Sequence, residues 1–151
     1  MSEKLTKNWD KEFHELLAIY EKAKEKAEYA VNHVVVDMYW EIGEYISEKI
    51  KTAGWGKSVV KEFSDFMQKH HAGIAGFSAS NIWRMRQFYE TYKDNEKLAT
   101  VLREINWSHN LIIMSRAKSD EEREFYLTLA AKNKYSFREL QNIIDTQNNG
   151  E

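Results

Sequence analysis

A short stretch in the middle of the chain carries side-chain types that can contact nucleic acid. Serine, arginine and glutamine reach base edges and phosphates from a helix that lies in the major groove. Projected at about 100° per residue, the segment 79–93 places such residues opposite an apolar face. The candidate nucleic-acid-binding residues are Ser80, Trp83, Arg84, Arg86 and Gln87 in this segment, with Lys57, Lys61 and Lys69 in the segment before it.

Each of these residues also has a simpler explanation. Trp83 is a large aromatic residue on the polar side of the segment. Tryptophan is more often packed inside a protein than stacked on a base, so Trp83 can equally be buried against the first helix or a partner subunit. The arginines can be solvated or ion-paired surface residues. The sequence leaves both interpretations open.

The formal net charge of −2 is unevenly distributed along the chain. Residues 54–118 contain ten Lys and Arg against six Asp and Glu, whereas the segments on either side have an acidic excess. A basic surface in the middle could contact phosphates, but a solvated surface of mixed charge explains the same composition. Net charge therefore neither favours nor excludes a nucleic-acid partner.

Residues that could support catalysis or metal binding lack the partners that they need. The run from His14 to Ala18 begins like a zinc-protease helix, but alanine occupies the place of the second histidine. The run 54–58 lacks the spacer of a phosphate-binding loop, and the absence of cysteine excludes thiolate metal sites. His109 lies in the first turn of a predicted helix, where the positive helix end favours a neutral imidazole. We expect no enzymatic activity, no cofactor, no metal and no small-molecule substrate.

The composition is that of one globular domain. Of the 151 residues, 42% are hydrophobic and 30% are charged, which suits a single domain with its own core. No run of 18 apolar residues is present, and the first residues lack the apolar centre of a signal peptide. We expect one cytoplasmic domain over residues 1–151, with an ordered core at about 9–147 and no membrane partner.

The apolar spacing predicts an all-α fold. No proline interrupts the chain, and apolar residues recur three and four positions apart. One drifting apolar stripe from Phe13 to Ile50 predicts a long helix, or two nearly collinear helices, that ends at Gly54. Further helices are expected at 57–70, 79–93, 96–104, 108–117, 119–133 and 136–147. A short hairpin would fit only near Asn95–Trp107.

Three of the predicted helix starts share one local signal. An aromatic residue precedes a serine, and an apolar residue follows four positions after it, as in a serine N-cap with a hydrophobic staple. The pairs are Phe77-Ser78, Trp107-Ser108 and Tyr135-Ser136. Ser136 with Glu139 and Ser119 with Glu122 also have the spacing of a capping box. We therefore expect short, sharply turned helices after residue 77.

The predicted helices 57–70 and 79–93 have the order of a DNA-binding helix-turn-helix. Their connection, from His71 to Phe77, contains two glycines and is longer than the usual tight turn. The expected fold is thus a multi-helix, all-α domain with a long N-terminal helix or helix pair and a helix-turn-helix-like or winged-helix-like core.

A set of short motifs, in order along nearly all of the chain, resembles the N-terminal domain of the YhcG-type bacterial proteins. The ordered set, more than any single motif, carries the resemblance. The motifs are Val31-Asn32, Tyr39-Trp40, Ile42-Gly43, Gly76-Phe77-Ser78, Asn81-Ile82, Met85-Arg86, Phe88-Tyr89, Trp107-Ser108-His109, Arg123, Phe125-Tyr126, Ser136 and Arg138-Glu139-Leu140.

The resemblance implies a helical, winged-helix-like DNA-binding domain that precedes a nuclease domain of the PD-(D/E)XK superfamily. These 151 residues contain no proline, hence no Pro-Asp pair, and no Asp…Glu-x-Lys cluster. No nuclease residue of the family can therefore be assigned to them, and we expect a non-catalytic module.

Two functions remain open. The first is a DNA-binding module that reads duplex DNA through helix 79–93, and the second is a helical protein–protein interaction or homodimerisation module that does not bind nucleic acid. The apolar stripe is wider than one helix of a small domain needs, so we expect a homodimer through residues 1–50 in either case. An apolar patch around Trp83 would favour a protein partner. DNA would be favoured by a continuous basic strip joining Lys57, Lys61, Lys69, Arg84, Arg86, Arg103 and Arg116.

Overall fold

Seven helices make up the part of the protein that the computed structural model describes, residues 9–149. They are α1 (Asp10–Ala53), α2 (Lys57–His70), α3 (Ala79–Tyr92), α4 (Glu96–Leu102), α5 (Trp107–Arg116), α6 (Asp120–Asn133) and α7 (Phe137–Asn149). No strand occurs between residues 9 and 149, so the all-α class is confirmed there. The stretch considered for a hairpin contains α4 instead, and these residues form no wing. None of these helices combines the length and the apolar character that a membrane span requires.

Helix α1 is one continuous helix of 44 residues, not two collinear ones. At about 1.5 Å per residue it is about 66 Å long. It ends at Gly54, whose φ of +67° confirms the predicted left-handed stop. Residues 10–30 are all exposed, whereas Val36, Tyr39 and Ile46 are buried. The second half of α1 therefore belongs to the domain core, and residues 10–30 lie at its surface or beyond it.

Two buried clusters form the core. One lies between α1, α2 and α3 and contains Tyr39, Ile46, Val60, Phe77, Ile82 and Met85. The other is built mainly by α3 to α7 and includes Phe88, Tyr92, Leu98, Leu102, Ile113, Leu127, Leu140 and Ile144. Trp107 packs against both clusters, with its ring centroid 4.6 Å from that of Tyr39 and 5.0 Å from that of Phe88. Helix α3, which contributes to both clusters, lies at the centre of the fold.

Helices α1 and α3 approach each other backbone to backbone at Gly43. A Cβ atom on this residue would lie 2.7 Å from the carbonyl carbon of Met85 and 3.2 Å from the amide nitrogen of Arg86. The first distance is shorter than carbon contacts allow and the second is tight, so a side chain here would push the two backbones apart. The close approach buries Met85 completely.

Most of the predicted helix caps are present. Three serine hydroxyls each accept a hydrogen bond, at 3.2 Å, from the backbone N–H three residues further along the chain. They belong to Ser78, Ser119 and Ser136. Glu139 completes one capping box, because its carboxylate accepts from the N–H of Ser136 at 3.0 Å. In the second predicted box the carboxylate of Glu122 accepts instead from the N–H of Lys118, at 3.2 Å.

The predicted cap at Ser108 is wrong. Helix α5 begins one residue earlier, at Trp107, with Asn106 at the N-cap position and no side chain capping it. The indole of Trp107 is drawn into the core, where its Nε1 donates to the side-chain oxygen of Asn81 at 2.9 Å. Packing of this tryptophan thus overrides the local serine signal.

Candidate nucleic-acid interface

Helices α2 and α3 occur in the helix-turn-helix order that the sequence predicts. Val60 and Ser64 are buried on the side of α2 that packs against its neighbours, and the Ser64 hydroxyl donates to the carbonyl of Phe77 at 2.6 Å. Gly73 and Gly76 in the connecting loop have φ angles of +79° and +87°, which favour glycine. These contacts fix the start of α3 relative to α2.

The structure divides the predicted binding residues of α3 between two sides of the helix. Ser80, Arg84 and Gln87 are exposed, and the last two face α5 across a groove. Trp83 and Arg86 are half-buried on the side that faces α1 and α2. The five residues therefore do not form one continuous surface.

Trp83 and Arg86 are engaged within the protein. The indole of Trp83 packs against the cluster between α1, α2 and α3, and the Arg86 guanidinium lies 4.9 Å from its ring centroid. Arg86 also pairs with Glu90 at 3.5 Å, and Glu90 accepts a hydrogen bond from Ser47 of α1 at 2.8 Å. This arrangement pairs Arg86 with a carboxylate and packs part of the Trp83 indole against the core.

The three predicted lysines of α2 are exposed but do not share one face. Lys61 pairs with Asp65 at 3.7 Å, whereas Lys57 and Lys69 form no ion pair with any described residue. At about 100° per residue, Lys69 projects from the side of α2 opposite the buried Val60 and thus away from the rest of the fold. Of the lysines, only Lys57 offers a free charge near the packed side of α2.

Ion pairs interrupt the rest of the basic strip. Arg103 pairs with Asp37 of α1 at 2.7 Å, and Arg116 pairs with Asp145 of α7. Both pairs join residues far apart in sequence. The continuous basic strip that would have favoured DNA is therefore reduced to separate free cations, and Arg84 is the one on α3.

The groove that Arg84 and Gln87 line has a volume of about 360 Å³. We call it the α3–α5 groove. Its opposite wall and one end are formed by Ser108, Leu111, Ser115 and Phe137. Neither Arg84 nor Gln87 forms a hydrogen bond or ion pair with a described residue. The residues of the opposite wall were not predicted from the sequence. Their spacing was a usable signal, because Ser108, Leu111 and Ser115 recur three and four residues apart and so share one face of α5.

The first turn of α5 lies at this groove through Ser108, and no side chain in the described part of the protein caps it. Peptide N–H groups at an uncapped helix start attract anions. The next residue, His109, is buried; its Nε2 lies 2.8 Å from the carbonyl oxygen of Tyr135, and its Nδ1 lies 3.3 Å from the Ser108 hydroxyl. Nε2 must carry a proton to donate to the carbonyl of Tyr135.

A second groove, of about 280 Å³, lies between α1 and the α5–α6 region and is acidic in character. Its walls include Glu25, Glu28 and Glu104, with Lys134 opposite. Three carboxylates make it unsuited to a phosphate. Within residues 9–149 no three His, Asp or Glu side chains come together as metal ligands.

The family model of the DUF1016 N-terminal domain matches residues 15–149, which include most of α1 and all of the other helices. A search of curated proteins found no match, and neither did a search of solved structures. The family match covers far more than half of the chain and agrees with the motifs that resemble the YhcG-type proteins. The chain therefore belongs to the DUF1016 N-terminal domain family, the N-terminal domain of the YhcG-type proteins.

Proposed function

We propose that this domain is a non-catalytic DNA-binding module that contacts duplex DNA along the α3–α5 groove. The observation that carries the proposal is the exposed side of α3, where Ser80, Arg84 and Gln87 form no ion pair with any residue that the structure describes. On its other sides α3 is held by the core, in which Ile82 and Met85 are fully buried. Burial of these residues fixes which side of α3, and so which three polar side chains, faces outward.

Each polar group at the groove suits a particular part of a duplex. The Arg84 guanidinium can bind a phosphate or the O6 and N7 atoms of guanine, and the Gln87 amide can pair with adenine. The Ser80 hydroxyl can donate to or accept from either kind of base edge. The uncapped start of α5, at Ser108, can hold a second backbone phosphate.

The electrostatic contribution to this binding is small. Four of the seven cations of the expected basic strip, Lys61, Arg86, Arg103 and Arg116, are already paired with carboxylates, so within residues 9–149 only three of that strip are free to replace the counterions of DNA. Since each phosphate contact contributes about one unit to the salt slope, we expect weak binding that is clearest at low salt.

Fluorescence anisotropy with a labelled duplex, at about 50 mM and about 200 mM salt, tests the proposal. The Arg84→Ala variant should bind more weakly. Loss of a phosphate contact would lower the salt slope by about one on every sequence, and loss of a base contact would cost about 1–3 kcal/mol on the preferred site only. Lys69→Ala is the matched control, because it removes the same charge from the outer side of α2 and should change binding little.

Two results would contradict the proposal. The first is a parent protein that binds no duplex at the lower salt concentration, and the second is an equal loss of affinity in the Arg84→Ala and Lys69→Ala variants. Thermal melts of both variants should match the parent, since exposed and unpaired residues contribute little to stability.

A helical interaction module is the second candidate function. It is favoured by the exposed large apolar residues in the first half of α1, of which Phe13, Leu16 and Tyr20 are 53%, 61% and 61% exposed. Single apolar residues at a surface are ordinary, but a stripe of them on one helix face indicates a contact surface. Self-association through this stripe is compatible with DNA binding as well, because the stripe and the α3–α5 groove are separate surfaces.

A further inference from the structure

The first half of α1 carries an apolar line that no described part of the protein covers. Its residues recur at alternating spacings of four and three, the spacing of the a and d positions of a coiled coil. We call this line the α1 seam. It consists of Trp9, which is the N-cap residue of α1, and of Phe13, Leu16, Tyr20, Ala23, Ala27, Ala30 and Val34. Every one of these residues is exposed, with values for the large side chains from 50% at Trp9 to 68% at Val34.

The seam ends where α1 enters the core. When the same spacing is continued beyond Val34, each position is occupied by an acidic residue. These residues are Asp37, Glu41, Glu44 and Glu48. The opposite side of α1 faces the rest of the domain, where the Asn32 amide donates to the carbonyls of Arg103 and Ile105 at 3.3 and 3.0 Å. A second helix could therefore lie along the seam without displacing any contact of the domain.

The seam is self-complementary in size when two copies run antiparallel. Its first half has large side chains and its second half mainly alanines. When residue i of one copy lies opposite residue 43 − i of the other, every layer joins a large side chain to a smaller one. The layers are Trp9 with Val34, Phe13 with Ala30, Leu16 with Ala27, and Tyr20 with Ala23. In a parallel pair, two phenylalanines would share one layer and two alanines another, which packs less evenly.

The charges along the same stretch favour the same orientation. Residues 9–21 contain four carboxylates and one lysine, whereas residues 22–34 contain three lysines and two glutamates. The formal charges of the two halves are thus −3 and +1. An antiparallel pair places each acidic half beside a basic half, and a parallel pair places like beside like, which costs free energy.

We propose that a second copy of this chain covers the α1 seam, forming an antiparallel two-helix coiled coil over residues 9–34. The two-fold axis passes between Glu21 and Lys22. A closed dimer uses the same surface on both subunits, and this requires the complementarity of size and charge that the seam has. The inference does not rest on DNA binding, because the α3–α5 groove takes no part in it.

Sedimentation equilibrium of the parent and two variants tests the association. The parent should have twice the monomer mass of 17.9 kDa at micromolar concentrations. Leu16→Glu places a charge in the seam and should give a monomer. Ala18→Glu adds the same charge two residues later, on the opposite and equally exposed face, and should remain a dimer.

A monomeric parent at high micromolar concentration would overturn the proposal, as would equal behaviour of the two variants. Loss of the fold does not explain a monomeric Leu16→Glu variant if its thermal melt matches that of Ala18→Glu, because both residues lie outside the core.

Spin labels determine the orientation, and the chain has no native cysteine to compete for them. Labels on Lys11→Cys should be far apart, because an antiparallel pair separates the two positions by about 30 Å along the axis at 1.5 Å per residue. Labels on Glu21→Cys should be much closer together, since that residue lies at the level of the two-fold axis and only the width of the coiled coil separates the two labels. Similar distances at both positions would indicate a parallel dimer and overturn the proposed arrangement.

Discussion

The indole N–H of Trp107 donates a hydrogen bond to the side-chain oxygen of Asn81 at 2.9 Å. The amide nitrogen of the same asparagine donates to the carbonyl of Gly76 at 2.7 Å. One half-buried side chain therefore joins the loop after α2, the first turn of α3 and the first turn of α5. Because Arg84 and Ser108 lie on opposite walls of the α3–α5 groove, this link sets the distance between the walls.

Replacing Asn81 with alanine should lower the free energy of unfolding by about 1–3 kcal/mol, because the Trp107 N–H and the Gly76 carbonyl lose their partner. Urea denaturation measures the loss. In a Trp107→Phe background the same replacement should cost about 1 kcal/mol less, since the indole donor is already absent. Strictly additive losses in the double variant would show that the hydrogen bond contributes nothing.

Gly43→Ala should lower the stability by about 1–3 kcal/mol or slightly more, because the new Cβ meets the backbone of Met85 and forces α1 and α3 apart. Thermal denaturation gives the change. Glu41→Ala, two residues earlier on an exposed site of α1, is the control and should stay within about 0.5 kcal/mol of the parent. Equal melting temperatures for the two variants would mean that α1 and α3 are farther apart at Gly43 than they are in this structure.

Tyr92→Phe should raise the free energy of unfolding near neutral pH by up to about 1 kcal/mol. The Tyr92 side chain is buried, and its hydroxyl has no hydrogen-bond partner among residues 9–149, so the replacement removes an unsatisfied polar group. Tyr45→Phe is the control, since the Tyr45 side chain is exposed and its hydroxyl meets water. A loss of stability in Tyr92→Phe would show that the hydroxyl has a favourable contact.

The gain in the free energy of unfolding from Tyr92→Phe should increase in alkaline solution. Burial raises the pKa of the Tyr92 phenol, because the charged phenolate is disfavoured away from water. The folded state then holds its proton after the unfolded chain has lost it, so the parent becomes less stable as the pH rises above the ordinary tyrosine pKa of about 10. Urea midpoints of parent and variant, compared below and above that pH, measure the effect, and a constant difference would contradict it.

Glu139→Gln should destabilise the protein at neutral pH and have less effect in acid. Hydrogen bonds from the N–H and the hydroxyl of Ser136 lower the pKa of the Glu139 carboxyl. The resulting stabilisation is present above the unfolded glutamate pKa of about 4.3 and is lost as the pH falls through the lower folded value. Melting temperatures across this range should converge at the acid end, and parallel curves would show that the capping box does not depend on charge.

Local signals predicted much of the fold. The caps at Ser78 and Ser136 depend on residues within four positions of each other, and both are present. Gly54 ends α1 for an equally local reason. The order of the helices and the buried face of α3 were predicted correctly from the spacing of apolar residues. This works because the face of a helix that packs against the core is the one that carries its apolar residues.

The features that were missed depend on contacts across the fold. Ser108 has the sequence signal of an N-cap residue. In the structure Trp107 packs against the core and is itself the first residue of α5, so Ser108 lies inside the helix. Arg103 and Arg116 looked available to DNA, and each is paired with a carboxylate on another helix, 66 and 29 residues away in the chain. No spacing rule reaches so far, so the free charges of the candidate site could not be identified before the packing was known.

The continuity of α1 also determines how its backbone amides exchange with solvent. A single hydrogen-bond ladder runs from the buried Tyr39 to the exposed Asp10, so helix residues in two environments belong to one element. Opening of the first half requires no disruption of the core, and amide protection should therefore fall steadily towards residue 10. Covering the α1 seam would slow exchange in residues 10–30 and leave the amides near Tyr39 unchanged. The second half of this helix thus reports the folding of the domain, and the first half reports its assembly.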